Sequence, residues 1–474
     1  MRDASEGSDT PSAPRGGPSD TVAALATARG TAALAVLRVS GPEAVPVVAS
    51  RFSNEALAEA AGRTVHVGWL LDDNRQRVDQ VVCVVWRGPH SSTGEDVVEV
   101  TCHGGDAVAQ AALRVLFGAG ARPARAGEFT QRAFLNGKLD LAQAEAVADL
   151  IHAESRLGHR AAVSALRGGI SEAVGAVRQS LVQTAALVEL ELDFGEEDVE
   201  FADRSELRAL LDDTDRQLAA LVGTARLGAL ARDGVRVVIG GRPNAGKSTL
   251  LNALVGEDRA IVSPVAGTTR DAVEASAELG GLRFSFLDTA GLRETADAIE
   301  AEGTRRARAA IDRADILLYV VDASVGLDDE ERAFLDGLAE RRPELAVVLV
   351  ANKADLEDAA ERLDDEAHRV SARDALADPS QLDGLRQSLV EAVRAGGLDA
   401  AEGGLVAVNA RHRAHLEAAR EAVGRARRSL AAGDGGDTLA LDLRAALHEL
   451  GLVTGAVTTE HVLDAVFSQF CIGK

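Results

Sequence analysis

Residues 241–248 read Gly241-Arg242-Pro243-Asn244-Ala245-Gly246-Lys247-Ser248, a GxxxxGK[ST] run set between a strand-like apolar stretch and a helix-forming one. Such a run handles phosphate. Its glycines let successive backbone N–H groups turn toward one anion, Lys247 adds a mobile positive charge for the β- and γ-oxygens, and Ser248 offers a hydroxyl to Mg²⁺. Further pieces follow in the order this chemistry needs. Thr269, within Gly267-Thr268-Thr269-Arg270-Asp271, supplies a second hydroxyl for Mg²⁺ and can sense the γ-phosphate. Asp288-Thr289-Ala290-Gly291 closes a strand with a carboxylate for the metal's outer shell and a Gly N–H toward the γ-phosphate. Asn352-Lys353-Ala354-Asp355 closes the next buried strand, where a carboxylate accepts from the guanine N1–H and exocyclic amine, a donor pair adenine lacks. Ser371-Ala372-Arg373 follows at another strand end and can close over the base. The combination predicts a guanine-nucleotide hydrolase domain that contacts GTP through these residues and through Thr249.

One position departs from the Ras-like arrangement. Leu292 follows Gly291, where a Gln would orient the attacking water, and Leu has no polar atom for that task. Charge in the transition state must then be met by an arginine finger in trans or by an extra cation. Asn244, inside the phosphate loop, has a side-chain carbonyl that could ligate a monovalent ion; the alternative is a local hydrogen bond in the loop.

These motifs need a scaffold, and the pattern of the chain supplies one. From Val235 to about Val393 apolar runs such as VRVVIG, LRFSFLD, DILLYVVDA and LAVVLVANK alternate with helical stretches, which predicts a parallel sheet covered on both faces. Before it, Leu139–Ile151, Arg160–Phe194 and Arg204–Leu230 carry apolar residues at helical spacing; after it, Ala410–Ala431 and Thr438–Leu450 do the same. The α/β domain is thus expected as an insertion between two helical portions that pack together. Residues 20–136 hold short Val-rich runs broken by Gly, Pro and Asp, the pattern of an α+β domain. The fold class expected is multidomain, with boundaries at 20–136, at 137–230 with 400–474, and at 234–396, preceded by a Ser/Gly/Pro-rich tail over 1–19. Between Glu189 and Asp203 eight acids occur with no base, expected as a solvated helix end and loop.

Composition narrows the partners. At ~150 residues per domain, 474 residues suggest about three domains. Fifty-one Lys and Arg against 74 Asp and Glu leave a net charge of −23, which excludes a generally basic nucleic-acid coat. Aromatics are 3%, too few for a base-stacking platform. Any RNA must be gripped by a local patch or a partner. Arg411–Arg428 holds six Arg and two His against Glu417 and Glu421, and Arg122–Lys138 holds four bases against Glu128. Each is either a salt-bridged helix face or a tRNA contact. Cys83, Cys102 and Cys471 have neither disulfide nor zinc spacing, which suits a reducing cytoplasm. The longest apolar runs, Ile316–Val321 and Leu345–Ala351, are far short of the ~18 residues of a membrane span.

The chain resembles the MnmE/TrmE family of tRNA wobble-uridine modification GTPases over Asp20–Lys474. The resemblance rests on LRVSGPEA (37–44), STGEDVVE (92–99), CHGG (102–105), GEFTQRAFLNGKLDLAQAEAVADLI (127–151), GRPNAGKS (241–248), AGTTRD (266–271), DTAGLRE (288–294) and the terminal Phe470-Cys471-Ile472-Gly473-Lys474. It implies a folate-binding N-terminal domain, a discontinuous helical domain and an inserted G domain. A homodimer whose G domains meet across GTP and potassium is implied too. By position, Asn244, Ser263, Val265 and Thr268 would surround K⁺, with Ser263 and Thr268 also near GTP, and Ser248 and Thr269 would hold Mg²⁺. Glu300, twelve residues past Asp288, matches the family's catalytic glutamate. Arg38, Glu99, Lys138 and Lys474 fall where 5-formyltetrahydrofolate or a related one-carbon folate is held. Cys471 invites a nucleophilic role, against which stands simple burial near the dimer centre.

The function so implied is a potassium-dependent GTPase. With an FAD-dependent partner of the MnmG/GidA type, in a heterotetramer, it would add a carboxymethylaminomethyl or aminomethyl group at C5 of U34 in certain tRNAs. The rival is a ribosome-assembly switch GTPase that binds RNA without modifying it. Such a switch normally carries an RNA module, and the one GxxG candidate, Gly433-Asp434-Gly435-Gly436, has an acid where a backbone clamp wants none; it is expected as an interhelix loop.

Overall fold

The structure, a computed structural model, describes residues 20–193, 204–256, 274–288, 308–356, 367–395 and 406–474; the tail expected over 1–19 lies outside them. The chain divides into two compact units, the first made of residues up to Glu145 together with Thr454–Lys474 and the second of Ala146–Val453.

In the first unit, β1 (Val22–Leu25), β2 (Leu34–Ser40), β3 (Thr64–Leu71), β4 (Arg77–Trp86), β5 (Val97–His103) and β6 (Arg122–Pro123) form one sheet in the order β3-β4-β5-β2-β1-β6. Neighbours run antiparallel except β1 and β6. Alternation along β4 buries Val81, Cys83 and Val85 and leaves the residues between them part-exposed, so this strand has one apolar face. Helices α1 (Ala44–Ser50) and α2 (Asp106–Gly118) cover it, and Val45, Val48 and Leu116 share a core with Leu37, Val39 and Val100. Each such side chain contributes about 1.5–3 kcal/mol. Burial in this core pushes the Cys83 thiol up to about 12 and raises Cys102 as well, which makes both poor nucleophiles.

Helix α3 (Glu128–Leu135) adds a polar knot to the same unit. Glu128 and Arg132, one turn apart, are buried. Arg122 donates to both Glu128 oxygens (2.9 and 2.5 Å) and to Asp20 (2.6 Å). Arg132 donates to Asp20 (2.7 Å), Glu95 (3.0 Å) and Glu128 (3.0 Å). Burial alone would raise the Glu128 carboxyl, but the hydrogen bonds from Arg122, the Arg125 N–H and Arg132 outweigh it and hold the group at about 2.

Residues 454–474 pack with the first unit. The cause is apolar packing reinforced by backbone pairing. Phe467, buried on the helix Glu460–Phe467, lies 6.4 Å from the Phe134 ring and 5.5 Å from Phe470. Ile472 bridges Ala126, the Gly127 N–H donates to the Cys471 carbonyl (3.4 Å), and the Phe129 N–H donates to that of Lys474 (3.2 Å). Gly473, at φ +101°, is required here, because a Cβ would lie 2.1 Å from the Leu25 oxygen. Cys471 itself is exposed.

The second unit begins with helices α5 (Arg156–Leu166), α6 (Gly169–Asp193), α7 (Arg204–Gly223) and α8 (Ala225–Asp233), which follow α4 (Leu141–Ile151). The helical spacing read over 160–194 is divided between α5 and α6 at Gly168, whose φ of +96° ends α5 in a left-handed cap. Strands β7 (Val235–Gly240), β8 (Glu274–Leu279), β9 (Leu282–Asp288), β10 (Ile316–Asp322), β11 (Ala346–Asn352) and β12 (His368–Val370) pair in the order β12-β11-β10-β7-β9-β8. All pairs are parallel except the β8–β9 hairpin. Along β10, Leu318 and Val320 enter one core with Phe284 and Leu389, while Leu317, Tyr319 and Val321 enter another with Leu338. That two-sided burial explains the unbroken apolar runs in the sequence.

The helix Ala410–Ala432 lies along α7, with Arg420 donating to Asp215 (2.8 Å) and Arg427 bridging Asp212 (2.5 Å) and Asp215 (3.2 Å). Gly228 on α8 allows a close approach, since a Cβ there would meet the Val408 oxygen at 2.1 Å. Helices far apart in sequence therefore pack side by side. No helix among the described residues is long and apolar enough to cross a membrane.

The depressed Glu128 carboxyl gives a pH signature. A group held below its unfolded value contributes stability that is present above pH 4.5 and lost as pH falls toward 2. Thermal unfolding followed from pH 6 to pH 3 should show a falling midpoint. Glu128→Gln should cost about 3 kcal/mol at neutral pH and flatten the acid dependence; a variant as acid-sensitive as the parent contradicts this.

Candidate active site

The phosphate loop links β7 to α9 (Lys247–Val255) at the C-terminal edge of the parallel sheet, where such sheets bind ligands. Its backbone is shaped by close approaches. Gly241, at φ +133°, could not carry a Cβ, which would lie 2.1 Å from the Val320 oxygen, and a Cβ on Gly246, at φ +92°, would lie 2.1 Å from Asn352 Nδ2. Gly246 caps α9, so the unpaired N–H groups of the first turn open into the loop. Lys247 is buried and its Nζ donates to the carbonyls of Gly241 (2.9 Å) and Arg242 (2.7 Å), which folds the cation back along the loop. Ser248 Oγ donates to Asp288 Oδ2 at 2.7 Å. Hydroxyl and carboxylate thus converge from α9 and the end of β9, a donor set of hard oxygens that fits Mg²⁺.

Asn352, at the end of β11, joins three segments. It is 2% exposed; its Nδ2 donates to the Ala245 carbonyl (2.8 Å) and its Oδ1 accepts from the Ala372 N–H (2.9 Å). The phosphate loop and the loop after β12 are held at fixed spacing by one amide. Ser371 caps the short helix Ala372–Ala375 by accepting from the Asp374 N–H. Asp355 and Arg373 are exposed at the same edge, where a base can reach them, and Thr249 is half-buried in the first turn of α9.

Two partners were not anticipated from the sequence. Lys353, in the left-handed region at φ +67°, donates to Asp322 (2.6 Å) at the end of β10. Burial would raise the Asp322 carboxyl, but bonds from Lys353 and Ser324 outweigh this and lower it. Arg242 pairs with Asp328 and lies 3.6 Å from Glu331, which also accepts from the Tyr319 hydroxyl (3.1 Å). Burial first, and then Glu331, raise the Tyr319 phenol. Asp328 and Glu331 form a capping box on the helix Asp329–Arg341, and that D-x-x-E spacing was the signal available in the sequence.

Asn244 adopts φ +66° and is exposed, and its side chain makes no hydrogen bond with another described residue. Ser263, Val265, Thr268, Thr269, Thr289, Ala290, Gly291, Leu292 and Glu300 lie outside the described residues.

In the first unit, Arg38 and Glu99 face each other on β2 and β5 and pair at 2.8 Å, with Arg38 5.7 Å from the Phe129 ring centre. The Phe129 N–H in turn holds the Lys474 carbonyl, so three of the four residues expected to contact folate gather at one place. Lys138 is exposed and donates to the Pro89 carbonyl (3.0 Å).

Both basic segments are largely neutralised internally. Arg122 and Arg132 belong to the buried knot. On the helix Ala410–Ala432, Arg411 donates to the carbonyls of Leu452 (2.7 Å) and Val453 (3.0 Å). Arg413 pairs with Glu417, His415 with Glu449 and Arg425 with Asp442. The salt-bridged reading of this face holds.

Comparison with known proteins gives the family. Residues 141–471 match the family described as the MnmE helical domain, and residues 21–138 match the GTP-binding protein TrmE N-terminus. The tRNA modification GTPase MnmE of Salinibacter ruber is 54% identical over 459 residues, which is 96% of this chain and 99% of that one. The protein of the same name from Cytophaga hutchinsonii is 42% identical over 460 residues, covering 96% and 98%.

Removing the Asn352 side chain leaves a buried carbonyl and a buried N–H without partners, each costing about 1–3 kcal/mol. Asn352→Ala should weaken GTP binding roughly 100-fold in a fluorescent-nucleotide titration. Affinity within twofold of the parent means that the amide does not organise the site.

Proposed function

The chain belongs to the MnmE family of tRNA modification GTPases, and from that premise we propose that it hydrolyses GTP to drive modification at C5 of the wobble uridine of certain tRNAs, in the cytoplasm. The observation that carries this reading is the near full-length identity to tRNA modification GTPases, together with the convergence of Lys247, Ser248, Asp288 and Asn352 on one phosphate loop. The N–H groups at the start of α9 cradle the phosphates, Lys247 swings from the loop carbonyls to the β- and γ-oxygens, and Asp355 reads the guanine edge. Ser248 and Thr269 would hold Mg²⁺, which would supply positive charge beside the phosphates.

With Leu292 unable to orient water, the proposal gives transition-state charge to K⁺ held by Asn244, Ser263, Thr268 and the Val265 carbonyl, and gives water positioning to Glu300. The exposed Asn244 carbonyl, with no bond to another described residue, supports its availability as a ligand. A homodimer would enclose that site. An FAD-dependent partner of the MnmG/GidA type would complete the modification, and a one-carbon folate would supply the carbon. Arg38, Glu99, Lys138 and Lys474 would hold the folate; the neighbouring Arg38 and Glu99 fit a ligand carrying both an anionic tail and a donor edge.

GTP hydrolysis should run many-fold faster in KCl than in NaCl at equal ionic strength; equal rates remove the cation from the mechanism. Nucleoside mass spectrometry of tRNA from cells lacking the chain should show the C5 wobble modification gone. A normal profile would favour the ribosome-assembly switch.

A further inference from the structure

On the most arginine-rich helix of the sequence, Arg411, Arg413, Arg420, Arg425 and Arg427 are spent on internal partners. At the turn between α5 and α6 the second unit has a solvent-open cleft of about 510 Å³ whose lining includes His159, Arg160, Ser164 and Arg167. His159, Arg160 and Arg167 are exposed, and their side chains have no acid partner among the described residues. The spacing is helical: Arg160 and Ser164 stand four residues apart on α5, and Arg167, the residue that caps its C-terminus, follows three further on. With a rise of 1.5 Å per residue the two arginines are about 10 Å apart along the axis, enough to engage separate phosphates. One acid, Glu172, lines the cleft against these bases, whereas the chain as a whole carries −23. A polyanion repelled by the general surface meets a local reversal of sign here.

We propose that this cleft is a docking surface for the phosphate backbone of tRNA. It rests on the reading that tRNA is the substrate, and it adds where on this chain the substrate is gripped. Ser164 supplies a hydroxyl donor between the two guanidinium groups, and none of these side chains belongs to the nucleotide site. The first turn of α5 meets the G domain's sheet. The first residue of α5, Arg156, pairs with Glu278 of β8 (3.1 Å), and the Leu157 N–H donates to the Gly281 carbonyl (3.0 Å) at the β8–β9 turn. RNA held on α5 would press directly on the hairpin that ends in Asp288.

The test is equilibrium binding of bulk tRNA to the full chain across a KCl series. Arg160→Ala/Arg167→Ala should bind about tenfold more weakly at physiological salt, and the slope of log affinity against log salt should fall by about 2. GTP affinity should be unchanged. Arg413→Ala, which removes a guanidinium already paired with Glu417, should match the parent. Arg160→Lys/Arg167→Lys, which keeps the charge, should retain most of the affinity and the slope. Unchanged binding by the alanine pair, equal loss in the lysine pair, or no binding of tRNA by the parent at low salt each overturns the proposal. Unchanged binding by the alanine pair, with the wobble modification still lost from cells lacking the chain, sinks the docking surface alone. A normal modification profile sinks the functional reading beneath it.

Discussion

The second unit depends on a single amide. Asn352 ends a strand whose last three residues are buried, and its side chain then bonds the phosphate loop on one side and the loop after β12 on the other. Parallel strands bring loops together at one edge but do not fix the distances between them. That task falls to buried polar groups, which are costly to leave unpaired and therefore permit one arrangement. Gly246 shows the constraint from the other side. The amide nitrogen occupies the space a Cβ would need, so the glycine of the motif serves packing against Asn352 as much as it serves phosphate.

Charge is handled differently in the two units. In the first, Asp20, Glu95, Glu128, Arg122 and Arg132 form a closed set in which each buried charge has partners of the opposite sign. Such a set adds little net free energy over an apolar core, yet it tolerates no deletion of a single member. In the second, the arginines of the helix 410–432 tie it to α7 and to the helix 436–454 along exposed or half-exposed faces. These pairs set the register between helices that are distant in the chain, while the apolar seam through Leu416, Val423, Leu443 and Leu450 supplies the stability.

Much of this was legible in the sequence because it is local. The phosphate loop, the buried strands Ile316–Asp322 and Ala346–Asn352 and the helices after 406 are specified by spacing and period alone. What escaped was non-local. The break at Gly168 interrupts an apolar period that reads through it. The Arg242–Asp328 and Lys353–Asp322 pairs join residues with no pattern linking them. The basic segments illustrate the same limit, since composition counts cations without showing which carboxylate each will meet. The contacts of the terminal segment are non-local as well, since Phe467 and Ile472 meet Phe134 and Ala126 from far earlier in the chain.

That terminal segment bears on how the protein is made. The first unit is synthesised first, yet Gly127, Phe129 and Phe134 wait for Cys471, Lys474 and Phe467, which leave the ribosome only after the whole of Ala146–Val453. During translation the second unit can close while the first still exposes the apolar pocket that Phe467 fills. Completion of the N-terminal unit is therefore a late, long-range event in the life of the nascent chain, of the kind that leaves a folding intermediate open to chaperones.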